Sequence, residues 1–292
     1  SDAANDMSHL CLEAIRRLRL LSPRTAVRWH PGLDADVMDH ACKVIAEGLS
    51  LPALVNDEAI IAAAVERGMT LVDAREYTFV GCGQTFPHGR GHGSYEDVVL
   101  NSAKALEFAL HDGVDPMTGQ QVGPRTGNPA DFSTYDAFER AYRTQMDEMI
   151  SRHIKAVNEQ RRFNAGKAFD YLRSLLTASC VETGRDWHDG GADYCEGMVD
   201  MVGLTTVTDS LVAIRVAVFD RRVISLASLV KVLDADWEGE ESLRQYFLRQ
   251  VPKFGNEAAQ ADDVLAAESA RVNDVIRGHR THFGGPWGMD II

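Results

Sequence analysis

Little in the chain marks it as secreted, membrane-spanning or nucleic-acid-binding. Its 292 residues contain no run of about 18 apolar residues, the length that crosses a bilayer as a helix, and the N-terminus lacks a basic stretch followed by an apolar one. Positive charge is scarce: 30 Lys and Arg stand against 43 Asp and Glu, and the resulting net charge of −13 repels nucleic acid and anionic lipid. The cysteines at 11, 42, 82, 180 and 195 form no CxxC pair, so neither a disulfide framework nor a zinc knuckle is indicated. A reducing, cytoplasmic setting fits that usage. Internal repeats and low-complexity tracts are absent too. What remains is a globular chain, 45% hydrophobic, large enough to bury a sizeable core and suited to a small-molecule partner. The opening SDAAND carries no initiator Met and the closing GGPWGMDII stops on two apolar side chains, so both ends read as cut.

Helical stretches alternate with short apolar strands, the pattern of an α/β architecture. Residues 9–21 predict an amphipathic helix that Pro23 ends, 25–30 (TAVRWH) a strand, and 34–47 a helix whose early aspartates suit the positive end of its dipole. Residues 51–55 predict a second strand. Asn56 and Asp57 are placed to cap a helix over 58–67 that Gly68 stops. Beyond Ser94 the expectation is mostly helical: 96–111, one very long stretch over 135–182, and further helices at 206–219, 225–234, 239–250 and 258–279. Between them lie a Gly/Pro-rich connection, 112–131, and a second loop region, 184–203, rich in Gly and Asp.

The segment DAREYTFVGCGQTFPHGRGHG, residues 73–93, sets one cysteine between two glycines after a β-branched and aromatic run. Thr78, Phe79 and Val80 read as a strand end, and Gly81 and Gly83 permit backbone angles that other residues resist. A sulfur held at such a tip can project into a cavity, which makes Cys82 the first candidate for chemistry; the plain alternative is a small buried residue in a tight turn. His88 and His92 lie four apart, but the glycines at 89, 91 and 93 make a shared helical face improbable, unlike a zinc protease pair. Three uses stay open for them: a Cys/His metal site with Cys82, proton transfer or orientation of a substrate acid group, and simple turn-forming residues. Arg90 between them either clamps a carboxylate or sits in solvent. Arg75 and Glu76 read as a structural ion pair, His30 as either an interior-facing or a packed histidine, and Asp189, Asp193 and Tyr194 as residues that fix their loop's backbone. The other four cysteines read as structural, and Met146, Met149, Met198 and Met201 as core filler.

These blocks resemble the glycyl radical enzymes, the superfamily of pyruvate formate-lyase and of the diol, choline and hydroxyproline eliminases. DAREY-x3-GC over 73–82 is similar to the segment carrying the thiyl-radical cysteine; GGADY at 190–194, DSL-x-AI at 209–214 and PKFGN at 252–256 are similar to further family blocks in the same order. The resemblance implies a ten-stranded α/β barrel built from two half-barrels, with many surrounding helices and Cys82 on a finger loop inside it. It also implies an organic glycyl radical, installed by a radical S-adenosylmethionine activating enzyme, no bound cofactor or metal, a homodimer when full length, anaerobic metabolism, and no nucleic-acid or membrane partner. Residues 1–292 would be the C-terminal part of the barrel domain, since the family's RVxGY-like radical motif and its N-terminal half-barrel are not found here; this fragment alone is expected to be inactive.

The chain departs from the eliminase pattern at one position. Many of those enzymes read GCxE, with the glutamate as general base, whereas this chain reads GCGQ. Gln84 can hydrogen-bond a hydroxyl, carbonyl or carboxylate but accepts no proton at neutral pH. The two adjacent cysteines of pyruvate formate-lyase are also missing, because position 81 is Gly. The resulting expectation is a radical lyase acting on a small polar metabolite, with Cys82 abstracting hydrogen and Gln84, His88, His92 and Arg90 binding substrate. The alternatives are a decarboxylase or a C–C bond-forming member such as a formate acetyltransferase-like or succinate-adding enzyme, a non-catalytic paralogue, and a metal-dependent hydrolase on Cys82, His88 and His92.

Overall fold

A computed structural model describes residues 4–80, 83–92 and 97–291. The chain divides into two compact units, Ser1–Tyr95 with Tyr171–Trp187 and Gly191–Tyr194, and Glu96–Asp170 with His188–Gly190 and Cys195–Ile292.

The first unit opens on α1 (Asp6–Leu18), whose N-cap Asn5 accepts from the Met7 N–H while Ser8 reaches back to the Asn5 N–H. Its buried Leu12 and Ile15 pack on Val37, Ala41 and Val44 of α2 (Ala35–Ala46). Strands β1 (Ala26–Trp29) and β2 (Ala53–Asn56) flank α2 and pair in parallel, from Ala26 opposite Ala53 to Trp29 opposite Asn56. Asn56 caps α3 (Asp57–Glu66) through its side-chain oxygen, and Gly68 takes φ +104° just past its end. A short α4 (Leu71–Arg75), capped by Thr70, leads into β3 (Tyr77–Val80), which forms an antiparallel hairpin with β4 (Gln84–Pro87).

The second unit is built on three parallel strands in the order β5 (Val98–Asn101), β6 (Gly197–Val202), β7 (Trp287–Ile291). Val98, Leu100, Val199 and Met201 lie in one large apolar core with residues of α5 (Ser102–Leu110) and α6 (Tyr135–Asn164). Two short helices, α7 (Tyr171–Leu175) and α8 (Ala178–Thr183), return the chain to the first unit. After β6 come α9 (Leu204–Ile214), which continues as π-helical turns to Asp220, then α10 (Leu226–Asp234), α11 (Glu241–Arg249) and α12 (Ala259–Arg277). Among the described residues no helix is long and apolar enough to cross a membrane.

The sequence expectation needs correction in three places. The helix expected over 96–111 begins as a strand, because Val98, Val99 and Leu100 have a buried partner strand to pair with. That partner, β6, lies inside 184–203, which the sequence reading treated as loop; its glycines hid the buried run GMVDMV. The long helix over 135–182 stops at Asn164, and Gly166 at φ +68° turns the chain before α7. The α/β class is observed, but the described residues carry seven strands in three sheets and do not themselves close a ten-stranded barrel. Of the four methionines, Met146 and Met201 are fully buried, Met149 packs at the margin of the core, and Met198 is half-buried.

Arg161, on the last turn of α6, donates to Asp97 at 2.8 Å and to the Glu196 carbonyl at 3.0 Å, and the Met198 N–H donates to the same Asp97 oxygen at 3.1 Å. Both side chains are at least nine-tenths buried. Removing one member of such a pair strands the other charge in a low-dielectric site. Arg161→Leu is therefore expected to lower unfolding free energy by about 3–5 kcal/mol in urea denaturation, and Asp97→Asn added to it to recover part of that loss.

Candidate functional site

The β3–β4 hairpin brackets the sequence-predicted centre. Val80 pairs with Gln84, so residues 81–83 connect the two strands, and Cys82 lies outside the described residues. Side chains alternate along each strand and paired residues share a face, so Thr78, Val80, Gln84 and Phe86 belong to one side of the hairpin. Gln84 is buried, at 4% exposure.

A cavity of about 410 Å³ borders that side. Its walls include Thr78, Val80 and Phe86 of the hairpin, His88 in the turn after it, and Arg173 and Trp187. His88 is exposed, and its Nδ1 lies 3.5 Å from the Thr78 hydroxyl. Trp187 has one aromatic and one cationic neighbour. The His92 ring lies 4.0 Å away, centroid to centroid, and the Arg173 guanidinium lies 4.3 Å from the Trp187 centroid. The two histidines thus occupy different surroundings: His88 at the cavity, His92 buried against Trp187 and bonded through its backbone N–H to the Tyr194 carbonyl at 2.7 Å.

Arg90 is committed to protein carboxylates. Its Nη1 donates to Asp193 at 2.6 Å and its Nε lies 3.3 Å from Asp73, an arrangement that raises the guanidinium's proton affinity. Asp73 in turn accepts from the Tyr194 hydroxyl at 2.6 Å and from Thr70 at 2.8 Å. These two bonds, with Arg90 adding a weaker pull, hold its carboxyl below the ordinary carboxylate range. The backbone joins in: Tyr194 N–H donates to the Arg90 carbonyl at 3.1 Å, Trp187 Nε1 to the Gly91 carbonyl at 3.1 Å, and Ala178 N–H to the Gly89 carbonyl at 3.1 Å.

The GGADY block therefore does fix a backbone, through Asp193 and Tyr194, but the backbone is that of the hairpin's exit as well as its own. Arg75 and Glu76 do not pair with each other; the Arg75 carbonyl accepts from Arg28 instead. Cys180 is buried, which pushes its thiol upward, Cys195 is half-buried, and Cys11 and Cys42 are exposed. Sequence reasoning missed Arg173 and Trp187. They lie about ninety residues beyond the hairpin, and no local spacing signals their return to it.

Two consequences can be measured. A Cβ at Gly91 would overlap the Phe86 ring, so Gly91→Ala is expected to cost about 1–3 kcal/mol of stability, partly recovered by Phe86→Leu. A carboxyl depressed in the folded state contributes stability above its unfolded pKa and loses it as pH falls through the folded pKa. Tyr194→Phe should thus move the Asp73 titration upward, read from its carboxyl carbon shift, and the hairpin tie should weaken at a higher pH than in the parent chain.

Comparison with known proteins agrees with the motif reading. A family model described as pyruvate formate lyase-like matches residues 1–292. Trans-4-hydroxy-L-proline dehydratase of Clostridioides difficile is 31% identical over the whole of this chain and 37% of its own length. The (2S)-3-sulfopropanediol dehydratase of Klebsiella oxytoca is 30% identical over the whole of this chain and 35% of its length. The solved glycerol-bound B12-independent glycerol dehydratase of Clostridium butyricum superposes with a TM-score of 0.88 at 31% identity, covering 98% of this chain and 36% of that one. The chain thus spans about a third of the length of the relatives it matches. With four ordered sequence blocks, a matching fold and a family model covering every residue, this chain belongs to the pyruvate formate lyase-like family of glycyl radical enzymes.

Proposed function

We propose that this chain is part of the barrel domain of a glycyl radical lyase that eliminates from a small polar metabolite, of the kind named for its relatives: hydroxyproline, sulfopropanediol or glycerol. In this reading the strands of both units contribute to a larger barrel completed by the rest of the polypeptide. The supporting observation is the hairpin: paired strands bracket Cys82, and the face that carries buried Gln84 borders a cavity with polar groups at its wall.

A glycyl radical, on a different segment, would take the hydrogen atom of the Cys82 thiol. Cys82 is proposed then to take a hydrogen atom from an activated substrate C–H, which restores its S–H and leaves the unpaired electron on the substrate, and a closed interior around the hairpin would shield that centre from water and oxygen. Gln84 is proposed to hold a substrate hydroxyl or carbonyl, since an amide donates and accepts hydrogen bonds but takes no proton at neutral pH. Proton transfer then falls to another group, and His88 at the cavity wall is the proposed one. His92 and Arg90 are proposed to position the loop. The activating partner is a radical S-adenosylmethionine enzyme, the working state a homodimer, and the compartment the cytoplasm.

The same Gln84 favours a second reading, a decarboxylase or C–C bond-forming enzyme, in which a carboxylate base two residues after the cysteine is less essential. The test uses the full-length gene product, activated anaerobically, on a panel of dehydratase, decarboxylase and succinate-addition substrates. Elimination from at least one polyol, sulfonate or hydroxyproline substrate is expected. Cys82→Ser should abolish turnover by about a thousandfold or more while the radical signal in electron paramagnetic resonance persists. Turnover that survives Cys82→Ser would sink the proposal. Gln84→Glu should change the pH–rate profile, because a buried carboxyl titrates above its usual range; an unchanged profile and product set would remove position 84 from the chemistry.

A further inference from the structure

The first unit holds a second hollow, about 600 Å³, that shares no lining residue with the cavity at the hairpin. It runs along β1, from Thr25 and Ala26 at one end to His30 just past the other, and reaches Asp57 at the residue after β2. Its lining combines apolar Leu12, Val27, Leu33 and Val37 with polar Arg28, His30, Asp57 and Glu76. The volume falls within the range of small-molecule sites, and the mixed lining suits an apolar body with one polar end.

We propose that this hollow binds a small monocarboxylate with a short aliphatic or aromatic body. The inference does not depend on the radical-lyase reading. The Arg28 guanidinium is locked in place. Its Nε and Nη2 donate to Asp57 at 2.8 and 3.0 Å, Nη2 also donates to the Arg75 carbonyl at 2.9 Å, and the group lies 3.9 Å from the Tyr77 ring centroid. Asp57 Oδ1, which accepts from Arg28 Nε, also accepts from the Tyr77 hydroxyl at 2.5 Å. These bonds occupy Nε and Nη2 and leave the two Nη1 hydrogens as donors that need no further ordering to meet a carboxylate.

His30 supplies the second donor. The Gly32 N–H donates to its Nδ1 at 3.1 Å, so the neutral ring carries its proton on Nε2. Arg28, in β1, and His30, just past its end, both line the hollow. Charge decides the ligand class. Asp57 already balances Arg28, and exposed Glu76 adds a negative charge at the wall, so a dianionic phosphate would meet two carboxylates and a single cation. A monocarboxylate accepts from both donors at a smaller repulsive cost, and its body covers the aliphatic lining.

The test is binding of 4-methylpentanoate to the 292-residue chain by saturation-transfer NMR and calorimetry, with isoamylamine and inorganic phosphate as controls. The carboxylate is expected to bind with a Kd of about 1 mM or tighter, at least about tenfold better than either control. His30→Leu should weaken it about fivefold by removing one of two donors. Glu76→Gln should tighten it about two- to fivefold by removing like charge at an exposed site. Val37→Trp, which fills the hollow, should abolish it; circular dichroism establishes that each variant is folded, and the His30 and Glu76 variants decide the question should Val37→Trp fail to fold. No carboxylate binding at about 10 mM, equal binding of amine or phosphate, or indifference to both the His30 and Glu76 variants overturns the proposal.

Discussion

One carboxylate ties the hairpin to a loop far along the chain. Asp73 accepts from Tyr194, from Thr70 and, at longer range, from Arg90, and so fastens the entry of the hairpin, its exit and the GGADY block to one point. The residues it joins are separated by 121 positions in sequence. Two-stranded hairpins are marginal in water by themselves. The geometry of this one is borrowed from what it is tied to.

Magnitudes separate the parts of that tie. Arg90 is 44% exposed and its partners are partly exposed, so its ion pairs are each worth on the order of 0–1 kcal/mol. Trp187 is buried, stacked on His92 and held by a bond from its indole N–H to the Gly91 carbonyl. Burial of a ring that size dominates, since deleting a buried Trp costs about 3–5 kcal/mol. The aromatic packing therefore supplies strength, and the charged and phenolic bonds supply register, because they are directional and fail if either loop slips.

The second unit meets a different constraint. Its parallel strands leave no local hairpin to set their order, so the sheet is defined by what covers it: the apolar side chains of β5 and β6 share one core with α5, α6, α9 and α12. At the start of β6 the Gly197 Cα lies against the Trp287 ring, where a side chain would clash. Arg161 and Asp97 place a buried charge pair beside this sheet and satisfy it with the Glu196 carbonyl and the Met198 N–H. The site and the sheet are thus positioned by separate devices, a packed tryptophan with directional polar ties in one and a shared apolar core with one buried ion pair in the other.

Local chemistry was legible in the sequence. The helix start at Asn56, the stop at Gly68, the hairpin entry at Thr78–Val80 and the family blocks all depend on neighbours within a few residues, so composition and spacing declare them. Pairings over long separations were not. Strand β6 reads as loop because glycines flank a run that is apolar only in part, β7 leaves no mark without its partner, and nothing beside Arg90 in sequence announces Asp193 as its partner. The sequence by itself determined which residues can do chemistry, since a thiol, an amide or an imidazole carries its reactivity with it. Tertiary structure alone decided which of them are spent on holding the protein together, because a side chain's role is set by the groups that reach it, and those arrive from a hundred residues away.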